Sequence, residues 1–270
     1  MSDSLGEVGV AHWDPGQYRQ FAGPRLRPAL DLMDRVVVNA PQRIVDLGCG
    51  TGDVTRILAE RWPAAEVTGI DASPEMLAEA RATPSRILWR QGDATTWCAE
   101  TPVDLIYCNA VLHWLPEHHR LLPRLLTSLA PHGGLAIQMP LSWDLPSHRL
   151  MREVLATGGP DGRPLGSAEL RAGLTRSPVA RADEYYSLLA PRSRTVDIWQ
   201  TEYLQVLAGE DPVLAWVKGA GLRPVLHGLD PDSRGDFLAA YRARLAEAYP
   251  RRPDGATLYP FTRLFIVATV

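Results

Sequence analysis

Val45-Asp46-Leu47-Gly48-Cys49-Gly50-Thr51-Gly52 stands between a β-branched run, RIVDLG (43–48), and a helix-like stretch, DVTRILAERW (53–62). Glycines at such a turn adopt conformations closed to other residues and let the backbone come close to a bound ligand. Several cofactors use Gly-rich strand-to-helix turns, so the spacing must decide among them. A dinucleotide fingerprint has Gly-x-Gly-x-x-Gly. Here Gly52 comes one residue early and Asp53 takes the third glycine's place. A phosphate-binding loop needs Gly-Lys-Ser/Thr, and this turn has no lysine. Asp46 would repel a pyrophosphate and suits a cofactor that carries positive charge.

Outward from the turn, two textures alternate. Further strand-like runs are EVTGID (66–71), ILWRQGD (87–93), VDLIYCN (103–109) and GLAIQMP (134–140). Between several of them lie the helix-like PEMLAEARA (74–82) and HRLLPRLLTSLA (119–130). Such alternation predicts an α/β fold with a parallel sheet covered by helices on both faces. Ser73 and Pro74 suit the N-cap and first turn of a helix. Asp71 ends the second run about 20 residues after the glycine turn, where an acid reads the two hydroxyls of a ribose. Asp93 ends the third, in Gln91-Gly92-Asp93-Ala94, where an acid accepts from an adenine amino group. Alone, either aspartate reads as a helix cap. Together with the turn, Asp46, Asp71 and Asp93 form an acidic rim around an adenosine-shaped slot at the carboxyl ends of the strands.

The remainder of the 270-residue chain sets bounds. Hydrophobic residues make up 46% and charged residues 22%, the balance of a globular protein. A net charge of −3 offers no basic excess for nucleic acid. No apolar run reaches the roughly 20 residues of a membrane helix, and the acidic start MSDSLGEVGVAHWD is unlike a signal peptide. Cys49, Cys98 and Cys108 lack metal-ligand spacing, so no metal is expected, and a reducing cytoplasm is. Four parts are expected: an N-terminal helical segment (1–40), a cofactor-binding core (41–140), a cap inserted after the fifth strand (141–194) and a C-terminal completion of the sheet (195–270). The completion contains TVDIWQTEYLQVL (195–207), two helices near 211–220 and 231–249, and the buried strand RLFIVATV (263–270). Residues 149–194 hold eight arginines against five acids, a net charge of +3 on an acidic protein. A basic cap suits a small anionic substrate, whereas any single arginine there reads as an ordinary surface ion pair. Arg25, Arg27, Arg149 and Arg263 form a wider set of carboxylate partners.

Asp46-Leu-Gly-Cys-Gly-Thr-Gly with Gly69-Ile-Asp71-Ala-Ser-Pro-Glu-Met closely resembles the Rossmann-like, class I S-adenosylmethionine-dependent methyltransferases over about residues 43–140. A narrower resemblance spans nearly the whole chain, to methyltransferases that make a monomethyl ester of a tricarboxylate of the aconitate type. It is carried by Trp13-Asp-Pro with Tyr18, Arg25-Leu-Arg27-Pro-Ala, Asn109-Ala-Val-Leu-His-Trp114-Leu-Pro and Gln138-Met-Pro. Leu150-Met-Arg-Glu-Val, Val196-Asp-Ile-Trp199, Gly221-Leu-Arg-Pro224 and Arg263-Leu-Phe-Ile-Val-Ala extend it. The chain departs from that pattern at His113, where glutamine is familiar, at Leu141-Ser142 and at Gln200. The resemblance implies a seven-stranded, mostly parallel sheet in the order 3-2-1-4-5-7-6, with strand 7 antiparallel and a helical cap after strand 5. It also implies S-adenosyl-L-methionine as cofactor, held by Tyr18, Asp46, Gly48, Gly50, Asp71, Ala72, Asp93, Ala94 and Asn109. Trp13, Arg25, Trp114, Trp143 and Arg149 fall to the substrate side. The expected partner is a small anionic molecule, with the chain a monomer or weak homo-oligomer.

A carboxylate acceptor is already ionised near neutral pH and needs no general base. Its methylation rests on holding oxygen, methyl and sulfur in line. A hydroxyl or amine acceptor would want a base of pKa near 7, and His113 is the catalytic candidate, its alternative role being to pack on Trp114. Three other readings stay open: a methyltransferase acting on a hydroxyl, nitrogen or carbon of a secondary metabolite, a non-catalytic S-adenosylmethionine-binding protein, and a nicotinamide-dependent dehydrogenase, which the glycine spacing disfavours.

Overall fold

The computed structural model describes residues 22–219 and 221–270. Among them, helix α1 (Ala22–Met33) leads into β1 (Arg43–Leu47), α2 (Asp53–Arg61), β2 (Glu66–Asp71), α3 (Pro74–Ala82), β3 (Leu88–Gln91) and β4 (Val103–Asn109). There follow α4 (His118–Thr127), β5 (Leu129–Pro140), α5 (Pro146–Thr157), α6 (Ala168–Gly173), α7 (Ala182–Leu189) and β6 (Thr195–Leu207). Three helices, α8 (Pro212–Lys218), α9 (Arg223–His227) and α10 (Pro231–Ala248), precede the last strand, β7 (Thr257–Thr269).

The seven strands form one sheet in the order β3-β2-β1-β4-β5-β7-β6, as the resemblance implied. The strands β1 to β5 pair in parallel, and β7 runs antiparallel to both β5 and β6. Strand order reverses between β1 and β4, and ligands of open α/β sheets bind at such a switch point. One face of the sheet buries Ile106, Ile137, Met139 and Ile266 under α4 and α7, through Leu121, Leu122, Leu125, Tyr185 and Leu189. The other face buries Ile44, Tyr107, Ala136 and Phe265 under α1 and α2, through Leu32, Met33 and Leu58. Tyr107 also donates its hydroxyl proton to the Ala29 carbonyl, fixing α1 to the sheet.

One element in particular exceeds what the sequence suggested. Strand β7 begins six residues before RLFIVATV, across Pro260, a residue that normally argues against a strand. The register supplies the reason. Strand β5 pairs only with Arg263–Thr269, while β6 pairs along the whole of β7, from Thr195↔Thr269 to Leu207↔Thr257. Residues 257–261 therefore have no strand partner on that edge, where a strand proline is tolerated. The end of β7 near 257 lies at the carboxyl end of β5, so the β6–β7 ribbon overhangs the carboxyl edge of the sheet.

A third apolar cluster forms on that overhang. Leu207, Tyr259 and Phe261 of the ribbon pack with Met151, Val154 and Leu155 of α5, with Trp216 of α8, Val225 of α9, and Phe237 and Tyr241 of α10. Ser147, at the start of α5, ties the cluster together. Its N–H donates to the Tyr249 hydroxyl, its carbonyl accepts from the Tyr241 hydroxyl, and its own hydroxyl meets that of Tyr259 at 3.0 Å. The cap is thus built from both sides of β6: α5 and α6 come before it, and α8 to α10 come after. Helix α7 instead packs beside α4 on the sheet.

The turn after β1 touches the loop after β4. Gly48 has φ +80°, and a Cβ there would lie 2.3 Å from Val111 Cγ2. Gly48→Ala is expected to destabilise the fold by about 1–3 kcal/mol, through backbone strain and overpacking. The double variant with Val111→Gly should regain the packing part only, since Val111 Cβ itself would lie 2.5 Å from the added atom. Denaturant unfolding of the two variants checks this, and a Gly48→Ala protein as stable as the parent would refute it.

Candidate active site

Each glycine of the turn serves a different neighbour. Gly48 and Cys49 donate to the Ile70 carbonyl at 2.7 and 2.9 Å, binding the turn to β2. Gly52, φ +80°, makes room for Trp89 of β3, whose Cη2 would lie 2.4 Å from an added Cβ. Gly69 does the same for that ring at 2.5 Å. Gly50, φ +54°, faces open space, with nothing within 4 Å of the place its Cβ would take. It is the one glycine of the turn that leaves room for a ligand beside the backbone.

The Asp71 carboxylate clips this turn to the next helix. Its Oδ2 accepts from the Gly50 N–H at 2.8 Å and its Oδ1 from the Ser73 N–H at 2.9 Å. Each oxygen keeps a second lone pair for a hydroxyl donor. Ser73 caps α3 by accepting from the Met76 N–H at 3.2 Å. Ala72 follows Asp71 directly, and its carbonyl accepts from the Gln91 amide at 3.2 Å. Asp93 lies two residues beyond β3 and is exposed. Thr95 already engages both of its oxygens, through N–H and hydroxyl, each at 2.7 Å. Ala94 beside it is buried, and Arg124 holds the loop by donating to the Ala94 and Thr95 carbonyls.

Asp46 does not sit on an open rim. It is buried behind the turn and accepts a 2.6 Å hydrogen bond from the Thr55 hydroxyl. Burial lifts its carboxyl from the ordinary 3.8 to about 7, with the Thr55 bond opposing and the Asp71 charge adding to the rise.

Beyond the switch point, polar groups of a second kind converge. Asn109 ends β4 in register with Gln138 of β5, which in turn faces Phe265 of β7. Asn109 Oδ1 and Gln138 Nε2 are both buried and make no hydrogen bond among the described residues. Gln138 Oε1 accepts from Arg263 Nη1 at 3.2 Å. Arg263 is only 6% exposed and lies over the Phe261 ring at 4.9 Å. His113 stands in a 3-10 turn, Leu112–Trp114, its ring 4.6 Å from that of Trp114, and its Nδ1 is buried without a hydrogen bond. Burial, and then the nearby Arg263, His118 and His148, push His113 down to about 3. Burial and Arg152 hold His148 at about 4. A group of pKa near 3 is too weak a base to take a proton at neutral pH. Trp114 is partly exposed at the outer side of this group.

Several residues singled out on the substrate side lie elsewhere. Arg149 is exposed on α5 and pairs with Glu153 at 3.7 Å. Trp143 lines a cavity between α5 and α6. Trp13 and Tyr18 lie outside the described residues, as does the Arg25 side chain. Sequence reasoning missed Trp89, the reason for two of the glycines, and the pairing of Gln138 with Arg263, which depends on strand register. It also missed His118. That imidazole donates from Nε2 to the Leu112 carbonyl at 2.8 Å and accepts at Nδ1 from the Tyr185 hydroxyl at 2.6 Å, fixing the turn that carries His113.

Comparison with known proteins agrees with this geometry. A family model described as a methyltransferase domain matches residues 44–133. Among solved structures, phosphoethanolamine N-methyltransferase 2 of Haemonchus contortus, in complex with S-adenosyl-L-methionine, aligns with a TM-score of 0.56 at 15% identity. That alignment covers 94% of this chain and 56% of the other, and it speaks for the fold alone. Fold and site together define a class I S-adenosylmethionine-dependent methyltransferase. Trans-aconitate 2-methyltransferase of Pseudomonas aeruginosa (strain UCBPP-PA14) is 50% identical over 96% of this chain and 94% of its own length. The same enzyme of Azoarcus sp. (strain BH72) is 48% identical over 95% and 98%. The chain belongs to the trans-aconitate 2-methyltransferase family.

The cofactor fits the residues present. Gly50 leaves the space, Asp71 keeps acceptor capacity for ribose hydroxyls, and Asn109 Oδ1 awaits a donor. Asp71→Ala is expected to weaken S-adenosylhomocysteine binding by about 1–3 kcal/mol, the cost of unpaired buried groups. Calorimetry giving unchanged affinity in a folded variant would remove the ribose assignment. Asp46 generates a second expectation. Its folded pKa exceeds the unfolded one, so its contribution to stability is complete below 3.8 and is lost as pH rises through about 7. Asp46→Asn, which keeps an acceptor for Thr55, should flatten the melting temperature against pH in that window. A profile identical to the parent's would contradict it.

Proposed function

We propose that the chain methylates one carboxylate of trans-aconitate, giving a monomethyl ester. The observation that carries this reading is the buried Arg263 guanidinium, held by Gln138 and Phe261 and near the His113 imidazole that burial keeps neutral. A buried cation set among hydrogen-bonding groups of this kind suits an anion, and guanidinium pairs carboxylate oxygens in a planar fork. Membership of the family supplies the particular acid.

When bound, S-adenosylmethionine supplies a methyl group on a positively charged sulfur that leaves as a neutral sulfide. Gly50, Asp71 and Asn109 would hold it, with Gly48 and Ala72 beside them in the chain and Asp93 and Ala94 just beyond β3, and Tyr18 is assigned to it by the family resemblance alone. Asp46 acts from behind the turn, by shaping it through Thr55. The acceptor oxygen is ionised at working pH, so no proton leaves during transfer. Arg263 orients the acceptor, Gln138 fixes Arg263 and offers its free amide N–H, and Trp114 shields the mouth from water. His113 stays neutral and serves as a polar wall. Catalysis then rests on alignment in a water-poor site.

The test is methyl transfer to trans-aconitate, with the product identified by mass and ester position. Over about pH 6–9, kcat should be nearly flat, since carboxylates titrate near 4. His113→Gln should keep most of the activity. Arg263→Gln should raise KM for the acid by about tenfold or more and leave cofactor affinity nearly unchanged. No ester formed, or an acid limb in kcat that vanishes in folded His113→Gln, would refute the carboxylate reading and favour a hydroxyl or amine acceptor.

A further inference from the structure

A cavity of about 420 Å³ lies between α5 and α6, apart from the groups assigned above to cofactor and acceptor. Trp143, Arg152, Leu155, Arg171, Leu174 and Thr175 line it, with Ala156 at the side. Its size falls within the range of small-molecule sites.

Both arginines are fixed in advance. Arg152 Nη1 donates to the Trp143 carbonyl at 3.0 Å, and its guanidinium lies 4.1 Å from the centre of the Trp143 ring. Arg171 Nη1 donates to the carbonyls of Leu165 and Gly166 at 2.9 and 2.7 Å. In each case a single nitrogen carries these bonds, so other N–H groups of the fork remain. Neither guanidinium forms an ion pair among the described residues. Glu153, the acid on α5 next to Arg152, is held by Arg149 at 3.7 Å and Arg244 at 3.1 Å. Asp144 and Glu169, the other acids close by, are both exposed.

The walls therefore offer two preorganised cations, an indole, two leucines and a hydroxyl. A bare inorganic anion would leave the indole and leucines wet, and a purely apolar guest would strip water from two guanidinium groups without replacing it. We propose that this cavity is a second ligand site, which takes a small organic carboxylate with a flat apolar body. The carboxylate pairs with Arg152 and Arg171, and the body lies along Trp143, Leu155 and Leu174. Preorganised forks lose little freedom on pairing, which favours binding. Arg152 and His148 lie one turn apart on the same face of α5, so the site borders the acceptor group through that helix.

The probe is benzoate, titrated calorimetrically into the enzyme saturated with S-adenosylhomocysteine, with neutral benzamide as its uncharged counterpart. Saturable benzoate binding below about 10 mM is expected, with benzamide at least about tenfold weaker. Arg171→Gln should weaken benzoate by about tenfold. Ala156→Trp, which fills the cavity and leaves both arginines in place, should abolish binding, with unchanged circular dichroism showing that the variant is folded. Arg263→Gln should leave benzoate affinity as it was. No saturable binding, equal binding of benzamide, or a loss in Arg263→Gln without one in Ala156→Trp would overturn the proposal. The last result would place benzoate in the acceptor pocket, and it would leave the carboxylate reading of that pocket intact.

Discussion

The overhang of β6 and β7 beyond β5 is the constraint on which the helices beyond the sheet edge and the burial of Arg263 depend. Strand β5 stops at Pro140, opposite Arg263, while β6 and β7 continue for six more pairs. The continuing ribbon carries Tyr259, Phe261 and Leu207 past the carboxyl edge of the sheet, where they become the floor of the cap cluster. Arg263 sits at the step itself. Below it, Gln138 offers an acceptor, and above it the Phe261 ring covers the guanidinium. A guanidinium could not be buried on a fully paired strand without such partners, because desolvation of an unpaired charge costs several kcal/mol.

The cofactor side depends on close approach of loops. Three strand ends meet at the switch point, and two glycines of the turn each remove a different obstacle. Gly48 yields to Val111 from the loop after β4, and Gly52 yields to Trp89 from β3. Once these contacts are made, Gly50 is left facing open space and Asp71 joins the turn to α3 by two backbone hydrogen bonds. Asp71 is therefore a structural clip whose geometry is set before any ligand arrives. That is the preorganisation a binding site needs.

Electrostatics separates the two halves of the cleft. On the cofactor side, acids gather, and burial makes Asp46 reluctant to ionise. Near the Arg263 guanidinium, burial and like charges keep His113 neutral, and burial with Arg152 does the same for His148. Low-dielectric surroundings strengthen each of these effects. The outcome is a guanidinium held by Gln138 and Phe261 beside an imidazole that burial keeps neutral.

The sequence by itself determined the local features. Glycine spacing, strand-end aspartates, the Ser73–Pro74 helix start and the β/α alternation are written in residues a few positions apart, because dihedral preferences and hydrophobic periodicity act at short range. Strand order came from resemblance to known methyltransferases, since texture carries no information about which strands become neighbours. Only the tertiary structure decided the rest. It divided the cap between segments on either side of β6, allowed Pro260 a place in β7, turned Arg149 outward onto Glu153, buried Asp46, and joined Gln138 to Arg263 across 125 residues of chain. Each of these depends on register and burial, which are properties of the assembled sheet. A pairing of side chains on different strands is fixed only when the strands have found their partners.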